Sequence, residues 1–346
     1  VVQSAAAITI PVGKTSSVPV VDRDIPETDM ERPDDIAVVI GNKEYKNDDI
    51  PDVDYAVRDA QIMKSYLTRT LGFREDNVIY VENASGAAIT RIFGTAGDPK
   101  GQLHDWVKPD QSSVFVYYSG HGAPNPETGN AYLLPSDANP SYLSQNGYPL
   151  TQLYENLAKI PAQSVTVAME ACFSGTSEGG AVLQNASPAV LSVENPVIGM
   201  ENGLALTAGA TDQVASWYPE KKHGLFTYYL LKGLRGNADA NDDSAVMAKE
   251  MESYLNEKVP YRAQRMHSRK QTPMVVGQNL DRVLVRYGDS APAAEPKATL
   301  AITTTDVQQS VQKALSLPDG AVKVSSVGDT DALQQGDVIT AVNGTD

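Results

Sequence analysis

The sequence predicts an α/β fold built on a mainly parallel β-sheet with helices on both faces. Two apolar runs, Ile36–Ile40 and Val114–Tyr118, are continuous rather than alternating, which is typical of strands buried on both sides. Between them, apolar residues recur at helical spacing from Ala56 to Leu71. Strands that alternate with helices along a chain indicate βαβ units, and such units place neighbouring strands in parallel.

Residues 34–286 carry the whole of this alternating pattern. The predicted helix Ala56–Leu71 has Asp52 or Asp54 available as its N-cap, and Gly72 is positioned to end it. The other predicted elements are the strands Asn77–Val81, Ser164–Met169 and Leu204–Ala208 and the helices Ile89–Phe93, Leu150–Lys159, His223–Gly233 and Ala245–Glu257.

The two ends of the chain differ from this pattern. The first 33 residues are rich in Val, Ser, Thr, Pro and Asp and predict an extended arm, with a strand at Ala6–Pro11. The Ala/Pro-rich stretch Ser290–Lys297 is typical of a linker, and Gly320–Val327 and Gly336–Asn343 beyond it predict short β elements. The predicted division is an arm at 1–33, an α/β domain at 34–286, a linker at 287–298 and a small β-rich unit at 299–346.

Composition argues against several classes of function. The net charge of −15, without a patch of Lys and Arg, argues against nucleic-acid binding and favours either basic peptides or plain solubility. The longest apolar runs have five residues, whereas a membrane-spanning helix needs roughly 20, so no membrane span is predicted. The single cysteine excludes an internal disulfide and a cysteine-based metal cluster, and it leaves the compartment open.

Unusual chemistry follows two of the predicted strands. His121 lies between glycines after Val114–Tyr118, and Cys172, the only cysteine, follows Ser164–Met169 by three positions. A lone cysteine is usually inert core and a lone histidine usually structural. The pair is stronger evidence for a reactive site than either residue alone, because reacting groups of open α/β sheets collect beyond the carboxyl ends of strands. A thiol beside an imidazole is partly thiolate near neutral pH, as acyl transfer requires.

Five motifs carry a family resemblance, in the order AVVIGNKEY, VRDA, YYSGHG, MEACFSG and HGLFTYYLLKGL. With Cys172 placed 51 positions after His121, they resemble the caspase-like peptidases, and specifically the bacterial relatives of metacaspases. The resemblance covers about residues 34–286 and implies an αβα sandwich around a mainly parallel six-stranded sheet. It implies Cys172 as the nucleophile, His121 as the general base and acid, and the amides of Gly122 and Cys172 as the oxyanion donors.

The resemblance also implies which peptide bond is cut. Glu170 lies two residues before Cys172, on the same side of the strand, where metacaspase-like enzymes carry a pocket acid that is usually Asp. Asp59, in VRDA, matches the second acid of that pocket, so the expected substrates are peptides with Arg or Lys before the scissile bond. From spacing alone, each acid also has a simpler interpretation. Glu170 fits a solvated acid at a strand end, and Asp59 fits an acid in the first turns of a helix, where the helix dipole favours it. Ser216 and Trp217 match a substrate-binding segment, with simple packing as the alternative for Trp217.

No metal or cofactor is expected. Many metacaspases bind calcium through paired acids after the catalytic His, but Asn146–Leu150 has none, and Asp137 and Glu178 are too few for a calcium site. The stretch Thr176–Gly203 contains no Lys or Arg, so an enzyme of basic specificity cannot cut itself there. We therefore expect a single-chain enzyme whose self-processing, if any, falls at Lys14, Arg23, Arg32 or Lys221-Lys222.

The segments GAVKVSSV and ALQQGDVITAVNG resemble part of a PDZ domain, a fold that binds peptides by strand addition. This leaves two alternatives to the basic-specific peptidase. One is a non-catalytic caspase-like scaffold that recruits partners through the tail, and the other is a gingipain- or legumain-like peptidase of different specificity. The arm and tail also resemble those of exported bacterial relatives, which favours export, while the oligomeric state stays open.

Overall fold

The computed structural model describes residues 18–288, apart from 125–129, 174–175, 178–179, 182–195 and 211–212, together with three short strands after residue 300. The described residues divide into two compact units, and the larger one begins at Val18. Residues 18–33, predicted as part of an arm, therefore belong to the α/β unit. The predicted strand Ala6–Pro11 lies outside the described residues.

The strands of the larger unit are numbered along the chain as β1 (Ile36–Gly41), β2 (Val78–Glu82), β3 (Ser113–Ser119), β4 (Gly122–Pro124), β5 (Ala131–Leu133), β6 (Tyr148–Pro149), β7 (Ser164–Glu170), β8 (Thr176–Ser177), β9 (Gly180–Ala181), β10 (Gly203–Thr207), β11 (Trp217–Tyr218), β12 (His223–Gly224), β13 (Ala245–Met247), β14 (Met274–Gly277) and β15 (Val283–Arg286). Its α-helices are α1 (Ala56–Arg69), α2 (Gly86–Phe93), α3 (Gln102–Trp106), α4 (Leu143–Asn146), α5 (Leu150–Ala158), α6 (Leu225–Lys232) and α7 (Ala248–His267). No helix in this described part has both the length and the apolar character of a membrane span.

Six strands form the central sheet in the order β14-β10-β7-β3-β1-β2. All neighbours in it are parallel except β14, which runs antiparallel to β10 at one edge. The predicted mainly parallel sheet is confirmed. Because the parallel strands end at the same edge of the sheet, the residues that follow β3, β7 and β10 gather there.

Both faces of the sheet are buried, as the continuous apolar runs predict. In β1, Ala37 and Val39 belong to one core, which also contains α1, α6 and α7, while Ile36, Val38 and Ile40 belong to a second core with α2 and α5. Since successive side chains of a strand point to opposite faces, helices cover the sheet on both sides. The layers are those of an αβα sandwich.

Several elements differ in detail from the sequence prediction. The N-cap of α1 is Tyr55, without a side-chain hydrogen bond, instead of Asp52 or Asp54. Helix α6 begins at Leu225, because His223 and Gly224 first pair as strand β12 with β11. Likewise Ala245–Met247 is strand β13, paired with β15, and the following helix α7 continues to His267.

The described residues after 300 form a separate antiparallel sheet of three short strands, β16 (Thr303–Asp306), β17 (Val322–Ser326) and β18 (Val338–Ile339). Strands β17 and β18 fall within the two predicted β elements of this region.

Candidate active site

The register of two central strands sets the geometry of the site. Strands β3 and β7 are parallel neighbours, and Ser119 at the end of β3 pairs with Glu170 at the end of β7. His121 and Cys172 each lie two residues beyond these paired positions. Both side chains line the same cavity, which Asp59, Glu170 and Trp217 also line.

The imidazole of His121 is held by a backbone carbonyl. Its Nε2 lies 2.7 Å from the carbonyl oxygen of Pro51, and since a carbonyl only accepts hydrogen bonds, Nε2 carries the proton. Burial lowers the pKa of His121 to about 4, so the ring is neutral at pH 7 and Nδ1 keeps its lone pair. Tyr45 supports this arrangement, because its hydroxyl oxygen accepts from the His121 amide at 2.9 Å.

The thiol of Cys172 is only 7% exposed and has a donor at its sulfur. The amide of Ala215, in the loop after β10, donates to Sγ at 2.8 Å, and donors of this kind stabilise negative charge on sulfur. Gly122 approaches the backbone of Cys172 closely, because a Cβ there would lie 2.7 Å from the Cys172 carbonyl oxygen and 2.4 Å from the Phe173 ring. A side chain at position 122 would collide with these atoms, so only glycine fits directly after His121.

The carboxyl group of Glu170 is buried in the same cavity as His121 and Cys172. Its Oε2 accepts from the Thr227 amide at 2.7 Å, and the Thr227 side chain is a second hydrogen-bond partner of the carboxyl group. Burial, and next the charge of Asp59, raises the pKa of Glu170 to about 8. Gly224 packs on this carboxyl, where a Cβ would come within 2.4 Å of Oε2. Glu170 is therefore a largely neutral acid at pH 7, and it lines the cavity beside His121 and Cys172.

Asp59 is equally buried, but both of its oxygens are occupied. Oδ1 lies 2.6 Å from Nδ1 of His223, and Oδ2 accepts from the Gly224 amide at 3.0 Å. Burial raises the pKa of Asp59, against the effect of these two hydrogen bonds. The other ring nitrogen of His223, Nε2, lies 2.7 Å from Oδ1 of Asp22. The second oxygen of Asp22, Oδ2, forms an ion pair with Arg58.

Comparison with known proteins identifies the family of this α/β unit. The family model of the caspase domain (Peptidase_C14) matches residues 34–285, more than half of the 346-residue chain. The chain belongs to the caspase family. A crystal structure of caspase-1 from Spodoptera frugiperda matches with a TM-score of 0.50 and 16% identity, over 78% of this chain and 97% of that one. At this identity the likeness shows the fold alone. No curated protein matches the sequence.

As a caspase-family chain it belongs to a family of cysteine peptidases, whose substrates are proteins. The caspase-like αβα sandwich with a mainly parallel six-stranded sheet is thereby confirmed. The match to the caspase domain covers the unit that carries His121 and Cys172.

The predicted substrate segment of this caspase domain is only partly at the cavity. Trp217 lines it and meets the Tyr55 ring edge-on at 5.6 Å between centroids. Ser216 is fully buried and does not line the cavity; its amide donates to Gln271 Oε1 and its carbonyl accepts from the Leu225 amide. Because its backbone groups are already bonded, the predicted substrate contact of Ser216 is not available in this conformation.

Two acids, Asp137 and Glu178, lie where related enzymes carry calcium ligands. Asp137 Oδ1 accepts from the Gly86 amide at the start of α2, at 2.8 Å, and Glu178 lies outside the described residues. Within the described ranges no group of three or more His, Cys, Asp or Glu side chains has the arrangement of a metal site.

Three residues of the site were not found from the sequence. Pro51 acts through its carbonyl, which has no side-chain signature. The sequence predicts His223 as the start of a helix and Asp22 as part of the arm. The only available signal was the HG pair in HGLFTYYLLKGL, which marks a glycine-permitted close approach but does not identify its carboxylate partners.

Proposed function

We propose that this chain is a cysteine endopeptidase that cleaves proteins and peptides after Arg or Lys, with Cys172 and His121 as its catalytic dyad. The observation that carries the proposal is the parallel register of Ser119 with Glu170. It sets the only cysteine of the chain and a carbonyl-held histidine beyond adjacent strand ends, in one cavity with a buried carboxyl group.

In the proposed mechanism, Nδ1 of His121 takes the proton of the thiol as Sγ of Cys172 attacks the scissile carbonyl carbon. The negative charge that develops on the carbonyl oxygen is accepted by the amides of Gly122 and Cys172, and each such donor is typically worth ~3 kcal/mol of barrier. His121 then gives its proton to the leaving amine. Water hydrolyses the acyl-enzyme, losing a proton to His121, and the thiol is restored.

Glu170 is the proposed recognition group for the substrate cation. Its carboxyl group lines the cavity in a buried position, and a guanidinium or ammonium there would favour the ionised carboxylate. Asp59 adds negative charge behind it, although its own oxygens are bonded to His223 and Gly224. A substrate carboxylate would be repelled, so the pocket disfavours Asp before the scissile bond.

We further propose that the enzyme works as one chain and without calcium. The stretch Thr176–Gly203 offers no Lys or Arg for self-cleavage between the halves of the domain. Asp137 already caps α2 through the Gly86 amide. The residues from 299 to 346 are proposed as a small separate unit with partial likeness to a PDZ domain, supported by the antiparallel pairing of β16, β17 and β18.

The test is a panel of fluorogenic peptides that end in Arg, Lys, Asp or Asn, assayed with the wild type and with Cys172→Ala, with chelator and with added calcium. We expect turnover of the Arg and Lys peptides alone, unchanged by chelator, and a loss of at least about 10³-fold in Cys172→Ala. Hydrolysis of the Asp peptide alone would exclude the proposed pocket. No turnover of any peptide would favour a non-catalytic scaffold.

A further inference from the structure

A chain of charged side chains runs from the proposed specificity pocket to the residues that precede the caspase domain. Asp59 contacts His223, His223 contacts Asp22, and Asp22 pairs with Arg58. His223 is 0% exposed and Asp59 is 1% exposed. Burying charges in this way is costly unless each one is paired, and here each one is.

The hydrogen bonds of His223 fix its protonation state. Its Nδ1 and Nε2 lie 2.6 and 2.7 Å from carboxylate oxygens of Asp59 and Asp22. A neutral imidazole has a lone pair on one nitrogen, which would then face a carboxylate lone pair. When both carboxyl groups are ionised, the imidazolium is the form of the ring that donates to each of them. Consistently, the two carboxylates outweigh the effect of burial and raise the pKa of His223 to about 9.

This imidazolium acts on the pocket in two ways. It supplies a positive charge that opposes the effect of burial on the ionisation of Asp59, and it holds Oδ1 so that Oδ2 receives the Gly224 amide. Gly224 in turn packs directly on the carboxyl of Glu170. The orientation of the pocket wall and the charge behind Glu170 therefore both depend on His223.

The N-terminal segment that carries Asp22 is firmly attached. Val21 is fully buried, and Nη1 of Arg235 donates to the carbonyls of Val20, Arg23 and Asp24 at 2.7–3.2 Å. These residues precede the stretch matched by the caspase-domain model, which begins at residue 34. The segment thus places a charged residue against His223, behind the pocket, from outside the family domain.

We infer that His223 and Asp22 are positioning residues for selectivity: together they orient and charge Asp59, and the N-terminal segment thereby completes the pocket for basic residues. This inference rests on the proposed function, since it names what sets the specificity of that same site. Neither residue touches the substrate, and their effect is transmitted through Asp59 and Gly224.

The experiment compares wild type, Asp22→Asn and His223→Gln with an arginine peptide and its uncharged citrulline counterpart. Asp22→Asn keeps an acceptor for Nε2 but removes the charge. We expect the arginine-to-citrulline ratio of kcat/KM to fall by about tenfold, mostly through KM, as happens when supporting partners of a site are lost. Alkylation of Cys172 by iodoacetamide should stay unchanged, because it does not involve the pocket, and citrulline turnover should fall less than arginine turnover, because citrulline carries no charge. Glu27→Gln, on the same segment and paired with exposed Arg69, is the matched control.

Proton and nitrogen NMR of the histidine rings gives a readout that needs no substrate. We expect one ring of the wild type to stay doubly protonated at pH 8, to disappear in His223→Gln and to titrate at lower pH in Asp22→Asn. A neutral His223 at pH 7, or an unchanged arginine-to-citrulline ratio in a folded Asp22→Asn enzyme, would overturn the inference alone. Absence of arginine turnover in the wild type would instead count against the proposed function.

Discussion

At the scale of single residues, the ionisation of Glu170 connects the fold to substrate choice. Burial by α6 and β12, followed by the charge of Asp59, raises its pKa to about 8. A raised pKa means that the group is neutral at pH 6 and becomes an anion only as the pH approaches 8. A cationic substrate needs the anion, so binding at lower pH must first remove a proton.

The expected result is a pH-dependent selectivity. Between pH 6 and 8 the arginine-to-citrulline ratio of kcat/KM should rise, by up to about tenfold per pH unit at the acidic end. The ratio cancels contributions of the dyad, and His121, whose pKa is about 4, is neutral throughout this range. In Glu170→Gln the ratio should be low and flat from pH 6 to 8. A wild-type ratio that does not change with pH would exclude Glu170 as the titrating recognition group.

At the scale of elements, the N-terminal segment depends on one arginine just beyond α6. Arg235 lies in a π-helical turn, Gly233–Asn237, and its guanidinium binds three carbonyls of residues 20–24. A planar guanidinium can serve several acceptors at once, whereas a lysine offers a compact point charge. The attachment of Asp22 therefore depends on the geometry of Arg235 as well as on its charge.

Replacing Arg235 by Ala should loosen this segment. A hydrogen bond from a charged donor contributes about 1.5–3 kcal/mol. The three bonds of Arg235 share one guanidinium and their contributions do not add, so we expect the free energy of unfolding in urea to fall by about 2 kcal/mol. Trypsin should also cut after Arg23 faster than in the wild type. Arg235→Lys should be intermediate, and the exposed Arg91→Ala should match the wild type. Unchanged trypsin cleavage after Arg23 in Arg235→Ala would contradict the proposed anchoring.

At the scale of the whole molecule, the sequence predicted what depends on local pattern. Continuous apolar runs located β1, β3, β7 and β10, and the ends of β3 and β7 located His121 and Cys172. Strand β14 was missed because it is a four-residue edge strand, with Met274 exposed and no distinctive pattern.

The supporting contacts of the site depend instead on the assembled fold. Asp22 and His223 are 201 positions apart, Asp59 and His223 are 164 apart, and Pro51 and His121 are 70 apart. Such pairs meet only because the order of the strands brings α1, β12 and the N-terminal segment together. No spacing rule along the chain encodes them.

The same buried groups make the stability of the molecule depend on pH. The pKa of His223 is raised from 6.5 to about 9, so its stabilising effect is complete below pH 6.5 and lost as the pH rises through 9. The pKa of Glu170 is raised from 4.5 to about 8, so the folded state also loses stability as the pH rises through 8. His121 has the opposite sign, because its lowered pKa makes stability rise as the pH increases from 4 to 6.5, with no further change above 6.5.

Above pH 6.5, therefore, the stabilising effects of the protons on His223 and on Glu170 are both lost as the pH rises. We expect the free energy of unfolding, measured by urea titration at fixed ionic strength, to fall by roughly 4–5 kcal/mol between pH 6.5 and 9. His223→Gln and Glu170→Gln should each reduce this slope, and the double variant should reduce it most, while Glu27→Gln should leave it unchanged. A His223→Gln protein with the full wild-type slope would show that the folded state does not hold the extra proton on His223.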